Sequence, residues 1–264
     1  MHIDILVMAG GSEPQWYHPP IENKTQIPIH GKACLEWIAD AIQNSKTDTA
    51  VSQTYTIRTI LLGTRALETK KNLSLFDTFV LTSEDNLLSD NVRLGMEAVQ
   101  GEYVLIVTGD IPCIRAEHIN NILHQLQEND TVDIYVPIVE KSAIEDRFPG
   151  SHRTYGKIKE GSVKMANCFL IRTDAFAKVD AIMNQFIENR KSVFKLAFHF
   201  GILNLLKLLL TKSISIPELE KAFYKASGIS VKGFLTDNAE LAVDIDKESD
   251  IEDIEKYFQK RGNQ

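Results

Sequence analysis

Ile3-Asp4-Ile5-Leu6-Val7-Met8-Ala9-Gly10-Gly11 decides how the chain is read. Ile3, Ile5, Leu6 and Val7 form a short apolar run rich in β-branched residues, the composition of a strand buried on both faces. It begins two residues from the start of the chain, so no leader is expected ahead of it. The run stops at Ala9-Gly10-Gly11, where side-chain-poor residues let backbone N–H groups come close to a ligand. Ligands of open α/β sheets bind at the carboxyl ends of strands. A tight strand-to-loop turn without a ligand is the other reading of this stretch, and the stretch alone does not choose between them.

Outward from this strand the pattern alternates. A polar loop carrying Pro14, Pro19 and Pro20 leads to Lys24, and apolar residues at 35, 38, 39 and 42 predict a helix over 33–44. Residues 45–54 read as a loop. Strands are expected at 55–62, 78–81, 103–107 and 134–139. Helices are expected at 91–99, with Asp90 as N-cap and Gly101 as its stop, and at 116–127. Strand–helix alternation over residues 1–140 indicates α/β architecture with a largely parallel sheet. Residues 148–163 are rich in glycine and basic side chains. A strand at 168–171 and a helix at 174–184 follow. The stretch 192–210 is the most apolar of the protein; Lys195, His199 and Lys207 interrupt it, and Gly201 divides it into two helices. Such greasy helices are core elements or cover a partner. Ser215-Ile216-Pro217-Glu218 is a capping box opening a helix that Gly228 closes. Strands at 229–235 and 241–246 come next, and Ser249 to Glu252 repeats the capping box before a last helix ending near Arg261.

The balance of 36 acidic against 29 basic residues, a formal charge of -7, argues against a protein built to hold nucleic acid. A hydrophobic fraction of 44% in 264 residues allows a large core. Cys34, Cys113 and Cys168 are odd in number and lack metal-type spacing, so they read as reduced structural thiols of a cytoplasmic protein. No apolar stretch reaches the roughly 18 residues of a spanning helix.

Three signals at expected strand ends carry chemistry. Gly10-Gly11 with Lys24 offers backbone donors and one ammonium, suited to a polyphosphate. Neither GxxxxGK[ST] nor GxGxxG is present. Asp110, in Gly109-Asp110-Ile111-Pro112, follows a buried strand and suits Mg²⁺, which takes one or two carboxylates and completes its shell with phosphate and water; the same carboxylate could cap a turn. Asp244-Ile245-Asp246 is the third. Its two acids are expected on opposite faces of a strand, so at most one reaches a site; the alternative is an acid complementing the dipole of the last helix. Together these suit phosphoryl or nucleotidyl transfer with Mg²⁺, which needs positioning and charge neutralisation more than a covalent residue.

Val7-Met8-Ala9-Gly10-Gly11, Asn23-Lys24-Thr25-Gln26-Ile27-Pro28-Ile29-His30-Gly31-Lys32, Thr108-Gly109-Asp110-Ile111-Pro112 and Val243-Asp244-Ile245-Asp246 come in the order found in nucleotidyltransferases of the glycosyltransferase-A-like fold. Within these the chain resembles the group similar to the molybdenum cofactor guanylyltransferases, the MobA-like NTP transferases. The resemblance implies a three-layer αβα fold with a mostly parallel central sheet and a helical insert. It implies a single domain, 1–264: a nucleotide-binding half over 1–140, an acceptor and metal half over 141–190 and 229–264, and the insert over 191–228. Ala9, Gly10, Gly11 and Asn91 would bind the nucleotide. Lys24 would neutralise its phosphates. Asp110 and Asp246 would hold the metal, and Arg153, Lys157 and Asn167 would meet the acceptor. The activity implied is Mg²⁺-dependent transfer of NMP from an NTP to a small phosphorylated or hydroxyl acceptor, releasing pyrophosphate. Two features depart from the family pattern: no arginine lies between Ser12 and Asn23, and Met165-Ala166-Asn167 stands where Gly-Gly-Asn is expected. Two alternatives stay open. One is a sugar-nucleotide transferase, disfavoured because the 109–112 segment supplies one acid rather than D-x-D. The other is a non-catalytic nucleotide-binding or assembly protein, with the apolar 192–210 helices as its interaction surface or as a homodimer contact.

Overall fold

The computed structural model describes residues 1–11, 13–126, 131–189 and 214–262. β1 (His2–Ala9) lies inside a nine-stranded sheet and is buried along nearly its whole length, while β2 (Pro28–Ile29) and β3 (Lys32–Ala33) form a separate two-stranded ribbon and α3 (Lys70–Leu75) is a short exposed helix. β1 pairs in parallel with β4 (Thr56–Gly63) on one side and β6 (Tyr103–Thr108) on the other, and β5 (Thr78–Leu81) extends the parallel part beyond β4. Past β6 the sheet turns mixed. β10 (Cys168–Arg172) runs antiparallel to β6 and to β7 (Ile134–Glu140). β9 (Gly161–Met165) also pairs with β7 and forms a hairpin with β8 (Gly156–Ile158), while β11 (Val231–Thr236) joins β7 in parallel.

Alternation along β1 sends neighbouring side chains into different layers. Ile3, Ile5, Val7 and Ala9 enter one buried cluster with α1 (Cys34–Thr47) and α5 (Ala116–Leu123). Leu6 enters a second with Ile60, Leu62, Val104 and Ile106, covered by α4 (Leu88–Glu97) and α7 (Phe176–Asn189). Burial on both faces is why β1 lacks a polar stripe. The architecture is the expected αβα sandwich.

Several local expectations shift. The segment read as a loop at 45–54 is helical: α1 runs to Thr47, and α2 (Thr49–Thr54) follows because the Asp48 carboxylate accepts hydrogen bonds from Ala50 N and Val51 N at 3.0 and 3.1 Å. Asp90 lies inside the first turn of α4 and pairs with Arg93 instead of capping. Gly101 is not a helix stop, for α4 ends at Glu97 and Gly101 N donates to the buried Asp4 carboxylate at 2.8 Å. α5 stops at Leu123, and a short α6 (Lys141–Arg147) that no pattern announced begins where β7 ends. The box at Ser215 and Glu218 opens α8 (Ile216–Ser227), and Gly228 closes it at φ 70°. The strand expected at 241–246 is absent; a single 3-10 turn, Ala239–Ala242, precedes irregular chain. The last helix, α9 (Glu248–Gly262), starts ahead of Ser249, which therefore caps nothing. Asp250 takes over there, accepting from Asp246 N and Lys247 N at 2.8 and 3.0 Å. The 192–210 helices, Gly201 and any dimer contact on them lie outside the described residues. Among the described residues no helix is long and apolar enough to cross a membrane. All three cysteines are free and buried, and burial pushes the Cys168 thiol up to about 12.

Beneath the irregular tail lies a buried ionic cluster. Glu240, fully buried, accepts from Arg147 at 2.7 Å, Tyr257 at 2.9 Å and Arg115 at 3.4 Å. His118 lies beside it, with Nδ1 accepting from Arg115 N at 3.2 Å. Burial is the main cause, aided by the nearby arginines, that drops the His118 pKa to about 4 despite Glu240. The folded ring thus resists a proton that the unfolded ring takes up near its ordinary value. The stability it contributes is complete above about pH 6.5 and shrinks as pH falls toward 4, by roughly 2–3 kcal/mol. Urea midpoints at pH 7.5 and 4.5 check this: His118→Gln should lose less stability on acidification than the wild type. Equal acid sensitivity would remove His118 as the cause.

Candidate active site

The site is assembled at the ends of β1 and β6. Gly109 N donates to Met8 O at 2.8 Å, and Cys34 Sγ donates to Gly109 O at 3.3 Å. A Cβ on Gly109 would lie 2.7 Å from the Thr25 methyl, so only glycine allows this approach. Asp110 follows at once. Ile245 N donates to Asp110 O at 3.0 Å, which ties the tail of the chain to the end of β6. Ile245 is buried, and the aspartates on either side of it turn the same way. Carboxylate oxygens of Asp110, Asp244 and Asp246 all lie within 4.8 Å of one another.

The expectation that Asp244 and Asp246 face apart is overturned. A strand repeats every two residues, so i and i+2 share a face, and here the segment is irregular chain in any case. Asp110 Oδ1 is buried and has no hydrogen-bond partner among the described residues. A buried unpaired carboxylate oxygen is costly. Three carboxylates in one small volume, one of them so exposed to that cost, fit a hard divalent cation with oxygen ligands.

Lys24 opens a 3-10 turn, Lys24–Gln26, held beside the glycine turn by Asn23. The Asn23 amide donates to Ala9 O at 2.9 Å and Gly11 O at 3.0 Å, and its oxygen accepts from Thr25 N. From there Lys24 Nζ reaches Asp110 Oδ2 at 2.6 Å and Asp246 Oδ1 at 3.2 Å. Burial would lower the Lys24 pKa, but Asp110 and then Asp246 outweigh it, and the value is raised. At Asp244 burial is outweighed by Lys164 and Arg153, which hold its carboxyl below the usual range. At Asp246 burial and the Asp244 charge win over Lys24, and its carboxyl is raised.

Of the residues expected at the nucleotide, Ala9, Gly10 and Gly11 form the turn at the end of β1. A Cβ on Gly10 would lie 2.6 Å from Asn91 Nδ2, so Asn91 backs the turn directly. The acceptor set divides. Asn167 sits at the strand-end row: Thr108 N donates to its carbonyl, and both Asn167 Nδ2 and Thr108 Oγ1 are buried without partners among the described residues. Arg153 is spent internally, with only 6% of its side chain exposed. It donates to Asp244 O at 2.9 Å and to Ser151 at 3.1 Å, and pairs with Asp250 at 3.0 Å. Lys157 is exposed on β8, the last strand of the sheet order, and no hydrogen bond or ion pair joins it to the aspartates among the described residues. Asn23, Lys164 and Asp250 were given no role from sequence. Lys164, which donates to Ala242 O at 2.7 Å, and Asp250 act through backbone of the tail loop, which no motif reveals.

The sequence profile of the MobA-like NTP transferase domain matches residues 5–195, a span holding the glycine turn, Lys24 and Asp110 but not Asp244 and Asp246. A hypothetical transferase from Thermus thermophilus is 27% identical, with a TM-score of 0.79 over 95% of this chain and 100% of that one. A CMP-2-keto-3-deoxy-manno-octonic acid synthetase solved with CTP has a TM-score of 0.56 at 14% identity, covering 98% and 99% of the two chains. A 4-diphosphocytidyl-2C-methyl-D-erythritol synthase from Anaerococcus prevotii has a TM-score of 0.57 at 14% identity, covering 98% of each chain. Comparison with the curated proteins finds no match. With the profile covering well over half of the chain, this protein belongs to the MobA-like NTP transferase family and is a nucleotidyltransferase.

Proposed function

We propose that this nucleotidyltransferase is Mg²⁺-dependent and moves NMP from an NTP to a small phosphorylated or hydroxyl acceptor. The observation that carries this reading is the meeting of Asp110, Asp244 and Asp246 beside Lys24, which stands next to a glycine turn. The backbone of Ala9, Gly10 and Gly11 would take the phosphates, with Asn91 fixing the turn from behind. Asp110, Asp246 and, beyond the sequence expectation, Asp244 would hold the ion. Once bound, the divalent ion would offset phosphate charge and draw electron density from the α-phosphorus. Lys164, Arg153 and Asp250 would keep the tail loop in register. Asn167, with an unpaired buried amide nitrogen, would orient the acceptor. The acceptor oxygen forms a bond to the α-phosphorus as the bond to the bridging oxygen breaks, and pyrophosphate leaves. A phosphate acceptor attacks as an anion and needs no general base, whereas a hydroxyl acceptor would release its proton to water as the new bond forms. In this reading the 1–140 half serves the nucleotide, and the 141–190 and 229–264 segments serve acceptor and metal. Its setting is the cytoplasm, where three free cysteines stay reduced.

Pyrophosphate release with each of the four NTPs, with and without Mg²⁺, against a panel of sugar and polyol phosphates tests it. Release with one NTP that requires Mg²⁺ is expected. NTP binding without release across the whole panel would favour the non-catalytic alternative.

A further inference from the structure

Lys24 occupies the gap among the aspartates. Its ammonium is 2.6 Å from Asp110 and 3.2 Å from Asp246, two of the three carboxylates that would hold the metal. A magnesium ion lies about 2.1 Å from each carboxylate oxygen it binds. An ammonium on those same oxygens would then sit within a few ångströms of a dication, with strong repulsion in a partly buried site. The two cannot share the gap.

We propose that Lys24 is the built-in counter-ion of the aspartate trio and must leave it for the divalent ion to enter, so that metal and triphosphate bind together rather than in sequence. This rests on the nucleotidyltransferase reading above. Three observations carry it. The trio is already compensated: Lys24 serves Asp110 and Asp246, while Lys164 and Arg153 serve Asp244 at 3.4 and 3.3 Å. Little negative charge is left over to attract a free ion. Next, Lys164 and Arg153 are anchored elsewhere, on Ala242 O and on Ser151 and Asp250, so they cannot yield. Lys24 can, because among the described residues its ammonium bonds to the trio alone and its flexible stem ends in three rotatable donors. Finally, Asn23 pins the backbone next to Lys24 against Ala9 O and Gly11 O. A triphosphate at that turn would give the ammonium a new anionic partner through side-chain torsions alone. Lys24 would thus couple the two ligands: it withholds the metal site until phosphate draws it away.

Manganous ion titrated into nucleotide-free protein, followed by electron paramagnetic resonance, tests this without any turnover. The proteins are wild type, K24M, D110N and the K24M/D110N double variant, with circular dichroism to confirm folding and Lys24→Gln as substitute if K24M does not fold. Loss of the two ion pairs should raise Mn²⁺ affinity by about tenfold in K24M. Adding D110N should abolish the gain. If K24M binds Mn²⁺ no tighter than wild type while D110N weakens binding, the counter-ion role is overturned and the metal site stands. If D110N changes Mn²⁺ binding in neither background, the metal site itself falls, and the exchange with it.

Discussion

Asp110→Asn is expected to cut NTP-dependent pyrophosphate release by about 10²- to 10³-fold, the cost of removing one charge-stabilising group from a transition state. The fold should survive. Among the described residues Asp110 Oδ1 has no hydrogen-bond partner, so an amide there breaks no bond seen at that atom. The other oxygen gives up its ion pair with Lys24, which keeps Asp246. The swap also keeps the side chain's shape. The melting temperature should therefore stay within a few degrees while the rate falls. A parallel thermal melt and single-turnover assay check this. An unchanged rate would remove Asp110 from the chemistry, and a rate lost together with the fold would make its role structural.

Glu240→Ala is expected to act the other way, on stability first. Its carboxylate is fully buried and takes hydrogen bonds from Arg147, Tyr257 and Arg115, which come from α6, α9 and the start of α5. Removal leaves a buried tyrosine hydroxyl and the Arg147 guanidinium without their anion, while Arg115 keeps Glu117 at 2.5 Å. Breaking a buried pair this way costs roughly 3–5 kcal/mol, and the value here belongs at the low end because Arg147 is partly exposed. For a chain of this size that lowers the melting temperature by about 10 °C. Asp244 lies four residues on, so the variant should also weaken Mn²⁺ binding at the site. A chemical denaturation curve is the primary measurement. A midpoint within experimental error of wild type would show that the cluster does not hold the three helices together.

Local sequence was sufficient for the frame. The apolar β1 run, the strand at 78–81 and the capping box at Ser215 each rest on contacts within a few residues, and the structure reproduces them. Asp110 at the end of a buried strand was legible for the same reason. The misreadings share a cause. Asp90 and Ser249 looked like caps, and Gly101 like a stop, because residue type was taken to fix position. A partner far along the chain, Asp4, holds Gly101, whereas Asp90 is drawn to Arg93 and Ser249 is displaced by Asp250 within a few residues.

The amino-acid order alone determined the layered α/β frame, the glycine turn and the acids at its strand ends, because burial periodicity and glycine's small size act over short stretches of chain. Only the tertiary structure decided which acids meet. Asp244 joins Asp110 and Asp246 because an amide 135 positions downstream, Ile245 N, bonds to Asp110 O. It also decided that Arg153 braces the tail loop, and that Lys24 lies among carboxylates. Long-range hydrogen bonds and ion pairs are set by where the packed elements place their ends, and no periodicity in the chain encodes that.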